Sequence, residues 1–211
     1  MVGMEKYNTA DFPDRIGLMV LPWASLFPGG LIPLRIFEER YRHMLRDALA
    51  GHRMFGIAHA PGDQEEEIER IASIGVVRAC VKNDDGTSSL ILQGLARVVL
   101  SNESFDPYPA ADITVLQEPD DSSREITRLR KTIQKHLLEN LNGKERLPDG
   151  FADHLVSITS DSAFADLLAS TAIVDPIKRR VLFEEMDVTL RMQMLLDSLQ
   201  ADESMEETEE P

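Results

Sequence analysis

Five histidines and a single cysteine are the residues of this sequence that could bind a transition metal. The histidines are His43, His52, His59, His136 and His154. Their spacing matches no common zinc motif, because His52 and His59 have neither a His-Glu-x-x-His helix nor cysteine partners. We therefore interpret the histidines as packing or surface residues and expect no metal and no other cofactor.

The residue types of a Ser-His-Asp triad occur where Asp153-His154 precedes Ser157 and Ser160. Neighbouring positions on a helix point in different directions, however, so these side chains would not converge on one reacting atom. The sequence also lacks the Gly-x-Ser-x-Gly turn that exposes a catalytic serine in hydrolases. The segment therefore does not predict nucleophilic catalysis.

A phosphate-binding loop would be the sign of ATP hydrolysis, since the backbone amides of such a loop hold the nucleotide. The nearest sequence is Gly143-Lys144, which is followed by Glu145 and lacks the required upstream glycine. With neither a phosphate loop nor a nucleophile paired with a base, we predict that the chain is not an enzyme.

The formal net charge of −15 argues against a nucleic-acid ligand, because an acidic protein repels phosphate backbones. The segment from Ala201 to Pro211 contains no base and is predicted to be a disordered acidic tail. No basic stripe is apparent elsewhere, and the nearest approach to one is Lys178-Arg179-Arg180 beside Glu184 and Glu185. RNA binding is therefore a disfavoured hypothesis.

Several features predict a cytoplasmic protein without a membrane partner. Cys80 is the only cysteine, so no intramolecular disulfide can form, as is usual in a reducing compartment. The N-terminus has no basic-then-apolar signal pattern, and acids such as Glu5 and Asp11 arrive early. No apolar run approaches the roughly 20 residues that a membrane helix needs.

The first half of the chain has the pattern of short strands. The strand-like runs are Gly17 to Pro22, Met54 to His59, Ile71 to Val81, Ser89 to Gln93, Leu95 to Ser101 and Ala110 to Glu118. Asn83-Asp84-Asp85-Gly86 predicts a hairpin turn, and Gly94 predicts a bend or bulge. Helical spacing from Phe37 to Gly51 predicts one early helix, which makes a small, curled β-barrel or sandwich the expected architecture.

Beyond about residue 120 the periodicity becomes helical. Ser122 and Glu125 have the spacing of a capping box, and Asp175 before Pro176 is typical of a helix start. The apolar residues that recur at helical spacing are Ile126, Leu129, Ile133, Leu137 and Leu141, and then Val188, Met192, Leu195, Leu196 and Leu199. We therefore predict a barrel over 1–119, a helical subdomain over 120–200 and a tail over 201–211, which is an α+β fold.

One sequence block is specific enough to indicate a family. Leu21-Pro22 and the run LFPGGLIPLRIFEERY from Leu26 to Tyr41 closely resemble the opening signature of the N-terminal domain of Lon proteases. Weaker matching segments follow in the family's order, at Phe55-Gly56-Ile57, Gly75-Val76-Val77, Leu92 to Arg97, Tyr108-Pro109-Ala110 and Leu182 to Val188. The similarity extends from Leu18 to Leu199.

The resemblance implies a PUA-like β pseudo-barrel with one early helix, followed by a helical subdomain. It also implies recognition of unfolded or extended polypeptide segments, as an adaptor for a protease or chaperone system in protein quality control. Family proteases continue into an ATPase module and a Ser–Lys peptidase, and this sequence contains neither. We therefore expect a stand-alone, non-catalytic form.

Four residues are candidates for peptide binding. The resemblance and residue types point to Arg40 and Tyr41 in a cleft, to Phe27 in a contact loop and to Trp23 as an exposed anchor. Each has a structural alternative, in which Tyr41 and Phe37 pack the first helix onto the barrel and Arg40 pairs with a carboxylate. Phe27 would then belong to a glycine-dependent turn, and Trp23 would cover one end of the barrel.

The sequence leaves two functions from different classes open. The first is a module that binds apolar or extended segments of other proteins. The second is a structural or assembly protein that associates through its helical half. A shallow apolar groove at a barrel edge would favour the first function, and a flat apolar helical face would favour the second.

Overall fold

The computed structural model describes residues 11–22, 24–60, 70–118, 123–140 and 151–206, with side chains except at 138–140, 151–153 and 202–206. The chain divides into two compact units, Met1–Leu116 and Gln117–Pro211. The sequence placed this boundary three residues later, after 119. The first unit contains the strands and one helix, and the second contains helices, which confirms the predicted α+β class.

The first unit is a mixed sheet that closes on itself. Its elements are β1 (Arg15–Val20), β2 (Leu31–Ile36), α1 (Glu39–Ala50), β3 (Met54–Ala58), β4 (Ile71–Lys82), β5 (Ser88–Ser104) and β6 (Ala110–Val115). The sheet order is β2-β5-β4-β3-β1-β6, and a further pairing joins β5 to β6. Strands β5, β4, β3, β1 and β6 therefore form a closed ring, in which only β1 and β3 run parallel.

Strand β5 makes this closure possible because it is long enough to serve two partners. Its first part, Ser88 to Gln93, pairs with β2, and its second part, from Val98, pairs with β6. The sequence predicted two separate strands here, divided at Gly94. The structure has one strand, with a register shift against β4 at Ile74/Gly75, so the predicted bulge is confirmed.

Strand β2 was missed by the sequence prediction, which assigned no element between the turn ending at Gly30 and the helix predicted from Phe37. Among the described strands β2 has a single neighbour, β5, and so lies at the edge of the sheet. Pro33 occupies its middle, which an edge strand tolerates because a missing amide costs no ladder bond on the free side. The helix begins only at Glu39, so Phe37 follows the strand and is exposed. The expectation that Phe37 packs α1 onto the barrel is therefore wrong.

The turn before β2 explains why Gly94 is glycine. Gly29 adopts a φ of 80°, which confirms the predicted need for glycine in this turn. Gly29 donates to the carbonyl of Gly94, and Gly94 donates to the carbonyl of Gly30, each at 2.9 Å. A Cβ at Gly94 would lie 2.2 Å from the carbonyl oxygen of Phe27. Strand β5 must therefore pass the turn without a side chain.

Two apolar clusters stabilise the first unit. One joins α1 to the sheet, through Tyr41, Met44 and Leu45 on the helix and Leu34, Ile36, Leu90 and Leu92 on the strands. The other draws on all five strands of the ring, with Ile16, Leu18, Ala58, Ala72, Ile74, Val98, Leu100 and Ala111. Each fully buried Leu or Ile contributes roughly 1.5–3 kcal/mol, so these clusters supply most of the stabilising burial.

The second unit contains five helices among its described residues. They are α2 (Arg124–Asn140), α3 (Phe151–Ser157), α4 (Asp161–Thr171), α5 (Pro176–Glu184) and α6 (Val188–Glu206). The apolar faces predicted for α2 and α6 are confirmed as buried at Ile126, Leu129, Ile133, Leu137, Val188, Met192, Leu195 and Leu196. Leu199 is half-buried, and Leu141 lies outside the described residues.

Side-chain caps fix where two of these helices begin. The Asp175 carboxylate accepts from the amide of Ile177 at 2.7 Å, which confirms the predicted start of α5. At α2 the hydroxyl of Ser123 accepts from the amide of Ile126 at 3.2 Å. Helix α6 continues to Glu206, beyond the predicted start of a disordered tail at 201. The predicted capping residue Ser122 and the residues beyond 206 lie outside the described residues.

Candidate functional site

Two of the four candidate binding residues are in the core. Phe27 is 1% exposed and Tyr41 is 2% exposed. The hydroxyl of Tyr41 accepts from the amide of Val20 at 3.2 Å, which ties α1 to β1. The structure thus gives both rings a packing role, because neither offers surface to a peptide. A contact role for them stays a prediction that requires this core to open.

The other two candidates differ in what the structure says of them. Arg40 donates from Nε and Nη2 to Oε2 of Glu38, at 2.9 Å and 2.7 Å, and its guanidinium lies 4.5 Å from the Tyr41 ring centre. The predicted pairing with a carboxylate is therefore present, and about a third of the Arg40 side chain remains exposed. Trp23 lies outside the described residues.

An apolar surface of the first unit lies on the outer side of β2, β5 and β4. Pro33, Ile91 and Ala79 are paired across the three strands, so their side chains share one face. Leu31 and Val81 lie two residues away on the same side, and each is 64% exposed. We call these five residues the outer apolar face.

A shallow depression of about 430 Å³ lies over four residues of this face, Pro33, Ala79, Val81 and Ile91. Its lining is mainly apolar and also includes Arg35 and Ser89. Phe37, which follows β2 directly, is 63% exposed. Soluble proteins seldom leave a contiguous apolar patch on a strand edge uncovered unless something binds there. This face could not be predicted from the sequence, because Pro33 argued against a strand at β2.

A second depression carries charge instead. It measures about 620 Å³ and lies between α1 and the β4–β5 hairpin. Its cationic lining residues are Arg42 and Arg46 on α1, Arg53 after it and Lys82 on β4, and its acidic lining residue is Glu39. We call this the basic cleft. It corrects the expectation that the sequence has no basic cluster, since three separate segments contribute its charges.

A third group of cations lies on α2. Arg124, Arg128, Lys131 and Lys135 recur at spacings of four, three and four, and they line one shallow surface. This stripe was also missed by the sequence prediction. The surface is a shallow depression of about 410 Å³ lined by residues of this one helix. Its threonine hydroxyls bond to backbone carbonyls, so we interpret it as a solvated helix face.

The polar side chains do not assemble a catalytic or metal site within the described ranges. No group of three or more His, Cys, Asp or Glu side chains there could hold a metal ion. Ser25 Oγ lies 3.3 Å from His59 Nε2, but the His59 ring is 2% exposed, so no substrate reaches it. The exposed pair Ser157 and His154 is joined only by a bond from the serine hydroxyl to the histidine backbone carbonyl.

Three aspartates at the surface of the first unit have a lowered pKa, which favours their charged form. A hydrogen bond from Tyr108 is the largest cause that lowers the pKa of Asp47. Bonds from the side chain of Thr87 and from Asn102 are the largest causes that lower the pKa of Asp85 and Asp112. These carboxylates stabilise turns and strand ends, and they carry no perturbation typical of an acid catalyst.

Within the described ranges, no helix has the length and apolar content needed to cross a membrane.

Comparison with known proteins identifies the family. Residues 15–201 match the family described as the ATP-dependent protease La (LON) substrate-binding domain. A Lon protease of Dictyoglomus thermophilum is 24% identical over 90% of this chain, and Lon protease 2 of Myxococcus xanthus is 25% identical over 91%. In each case the match spans 24% of the relative, so the chain corresponds to about a quarter of the length of these proteins.

Solved structures show the same fold. The N-terminal domain of the Mycobacterium avium complex Lon protease matches with a TM-score of 0.72 at 20% identity, covering 88% of this chain and 98% of that domain. A Lon N-terminal domain protein from Xanthomonas campestris matches with a TM-score of 0.64 at 21% identity, covering 87% of this chain and 97% of that one. The resemblance seen in the sequence is confirmed: the chain belongs to the LON substrate-binding domain family.

Proposed function

We propose that this chain recognises unfolded or extended polypeptide segments and that the outer apolar face is the surface that binds them. The observation that carries the proposal is the exposure of Leu31 and Val81 on one continuous three-stranded face beside an edge strand. Membership of a substrate-binding family supports it. The chain acts without catalysis and delivers its ligand to a protease or chaperone system, in a cytoplasmic setting that the single cysteine favours.

Extended segments suit this surface for physical reasons. Apolar side chains of an unfolded protein can cover Leu31, Val81 and Ile91 without a precise shape match, so many sequences are tolerated. Ordering each bound residue costs about 1–2 kcal/mol of backbone entropy, which limits the affinity to the micromolar range or weaker. Such weak binding allows release, as a module that passes substrates onward requires.

The test is a titration of a labelled, permanently unfolded protein with the full chain. We expect saturable binding that weakens severalfold in the variant Leu31→Ser/Val81→Ser, because both side chains lose their apolar contact area. Ile177→Ser/Val181→Ser is the control, since it removes two exposed aliphatic side chains, 72% and 46% exposed, from the second unit. Absence of binding by the wild-type chain at high micromolar concentration in low salt would refute the proposal.

Trp23 and Arg40 stay proposed contacts. Trp23 is the only tryptophan of the chain, so its fluorescence reports on its own surroundings. A tryptophan-free ligand that shifts this emission, with a shift reduced in Arg40→Gln, would support both residues. Saturated binding without any spectral change would remove Trp23 from the site.

A second candidate function has its own observation. Ile177 and Val181 lie four residues apart on α5 and are 72% and 46% exposed, and Val174, just before the helix, is 68% exposed. Such a stripe fits the same stripe on a second copy of the chain, which is the assembly hypothesis. Sedimentation equilibrium decides it: a dimer that dissociates in Ile177→Ser/Val181→Ser supports assembly, and a monomer at all concentrations excludes it.

A further inference from the structure

Strand β4 offers a second free edge, distinct from that of β2. Its pairing with β3 ends at Val76, whereas its pairing with β5 continues to Lys82. On the side away from β5, the residues Ala79 to Lys82 therefore have no strand partner among the described residues. No proline interrupts this segment, so the amides and carbonyls of alternate residues, which point away from β5, can pair with an added strand.

This edge separates the two depressions of the first unit. Successive side chains of a strand point to opposite faces of the sheet. Ala79 and Val81 accordingly line the depression on the outer apolar face, while Lys82 lines the basic cleft and Cys80 contributes to the lining of both. A strand added along β4 would follow the same alternation. Its side chains would point in turn to an apolar surface and to a cluster of cations.

The cations of the cleft are placed to act on such a strand. The side chains of Arg42 and Lys82 make no hydrogen bond or ion pair within the part of the chain that the structure describes, and both line the cleft. Arg42 reaches the hairpin turn, where a Cβ at Gly86 would lie 2.9 Å from its Nη2. The Arg53 guanidinium donates from Nη2 to the carbonyl of Val77 at 3.2 Å, which holds its charge where the β3 pairing stops.

The cations of the basic cleft contrast with the acidic charge of the whole chain. The chain as a whole carries −15, so its long-range field repels anions, yet the cleft lining has four cations and one acid. Arg46 is paired with Asp47, which leaves Arg42, Arg53 and Lys82 without a carboxylate partner among the described residues. At physiological salt, interactions beyond about 8 Å are largely screened. A ligand held against β4 therefore responds to the cleft and not to the net charge. This reverses the bias toward basic segments that the acidic composition alone would predict.

We propose that the edge of β4 selects polypeptide segments in which acidic residues alternate with apolar ones, bound as an added strand. The apolar residues lie on the Ala79 and Val81 side, and the acidic residues enter the basic cleft beside Arg42 and Lys82. The backbone hydrogen bonds of the added strand give affinity, and the two faces give selectivity. This inference rests on the proposed polypeptide recognition and specifies the substrate class.

The experiment compares four short peptides, each carrying the same neutral fluorophore, by anisotropy with the full chain. The first alternates valine with glutamate, and the second alternates valine with lysine. The third has the composition of the first in two blocks, and the fourth is the first with alternate amides N-methylated. We expect the first peptide to bind about tenfold more tightly than each of the others in low salt, and its advantage over the lysine peptide to shrink in high salt.

Two variants locate the effect. Arg42→Gln/Lys82→Gln should weaken binding of the glutamate peptide about fivefold, because both unpaired cations are lost. The matched control Arg124→Gln/Arg128→Gln removes the same charge from the exposed face of α2 and should change binding less than about twofold. Circular dichroism and thermal unfolding verify that both variants keep the wild-type fold.

Several results would overturn the inference. Equal binding of the glutamate and lysine peptides, or equal losses in the two variants, would remove the selectivity of the cleft. Undiminished binding of the block or N-methylated peptide would remove the added strand. Displacement of the glutamate peptide by a lower concentration of a single-stranded oligonucleotide would assign the cleft to nucleic acid. If the unfolded protein binds while the four peptides bind with equal affinity, the proposed polypeptide recognition stands and only this inference fails.

Discussion

Arg191 and Glu118 form an ion pair in which Nη2 of the fully buried arginine lies 2.6 Å from Oε1 of the carboxylate. Nη1 of the same guanidinium donates to Asp166 at 3.0 Å, and its Nε and Nη2 donate to the carbonyl of Glu185. The hydroxyl of Ser162 also bonds to Glu118. One arginine on α6 therefore fixes α4, the end of α5 and the segment that precedes α2.

Replacing Arg191 with methionine should lower the free energy of unfolding of the second unit by about 3–5 kcal/mol, because Asp166 would remain buried without its cation. The control is Arg180→Met, whose pairing with Glu184 is partly exposed and should be worth about 0–1 kcal/mol. Urea unfolding followed by the helical circular dichroism signal measures both. Equal losses in the two variants would show that the Arg191 network is not stabilising.

Gly94→Ala should destabilise the first unit by about 1–3 kcal/mol or more, since the new methyl group meets a backbone carbonyl and not a flexible side chain. The turn at Phe27 would have to move, and it is held by two backbone hydrogen bonds. Ser101→Ala is a matched control at an exposed position of the same strand. Thermal unfolding checks the prediction, and an unchanged midpoint in Gly94→Ala would contradict the close approach.

Tyr108→Phe should raise the pKa of Asp47 toward its ordinary value, because the tyrosine hydroxyl donates to this carboxylate at 3.0 Å. The pKa values of Asp85 and Asp112 should not change, since other residues lower them. Carboxyl chemical shifts followed through an acid titration measure all three. An unchanged titration of Asp47 would contradict the role of Tyr108.

The same substitution has a pH-dependent effect on stability. The folded-state pKa of Asp47 is lowered, so its contribution is present above the unfolded-state pKa and is lost as pH falls through the folded-state pKa. The stability difference between wild type and Tyr108→Phe should therefore be larger near neutral pH than in strong acid. Unfolding curves at several pH values test this, and a difference that grows on acidification would be the wrong sign.

The fold class and most elements could be predicted because their signals are local. The spacing of Ile126, Leu129 and Ile133 depends only on the geometry of the helix that contains them. The Asp175 cap likewise depends only on the first turn of α5. The family resemblance supplied the barrel. Strand β2 was missed because Pro33 is a strand breaker everywhere except at an edge, and the edge position is a property of the whole sheet.

The surfaces were harder to predict, because they combine residues that are distant in sequence. Arg42 and Lys82 lie on different elements, and the outer apolar face unites three strands through their register. The spacing of Arg42 and Arg46 by four residues was a readable signal for one basic side of α1. Phe27 and Tyr41 were proposed as contacts because they belong to the most specific motif of the sequence. Both rings are buried, so their place in the motif is explained by packing.

The most direct test of polypeptide recognition is an amide-resolved NMR titration of the full chain with an unlabelled unfolded protein. We expect saturable shifts concentrated in β2 and the Ala79 to Lys82 segment of β4, with the α5 signals unchanged. Arg78 and Ile91 should follow the same binding curve, because they lie beside those segments. Shifts confined to the Val174, Ile177 and Val181 stripe, or no shifts at saturating ligand, would contradict recognition by the outer apolar face.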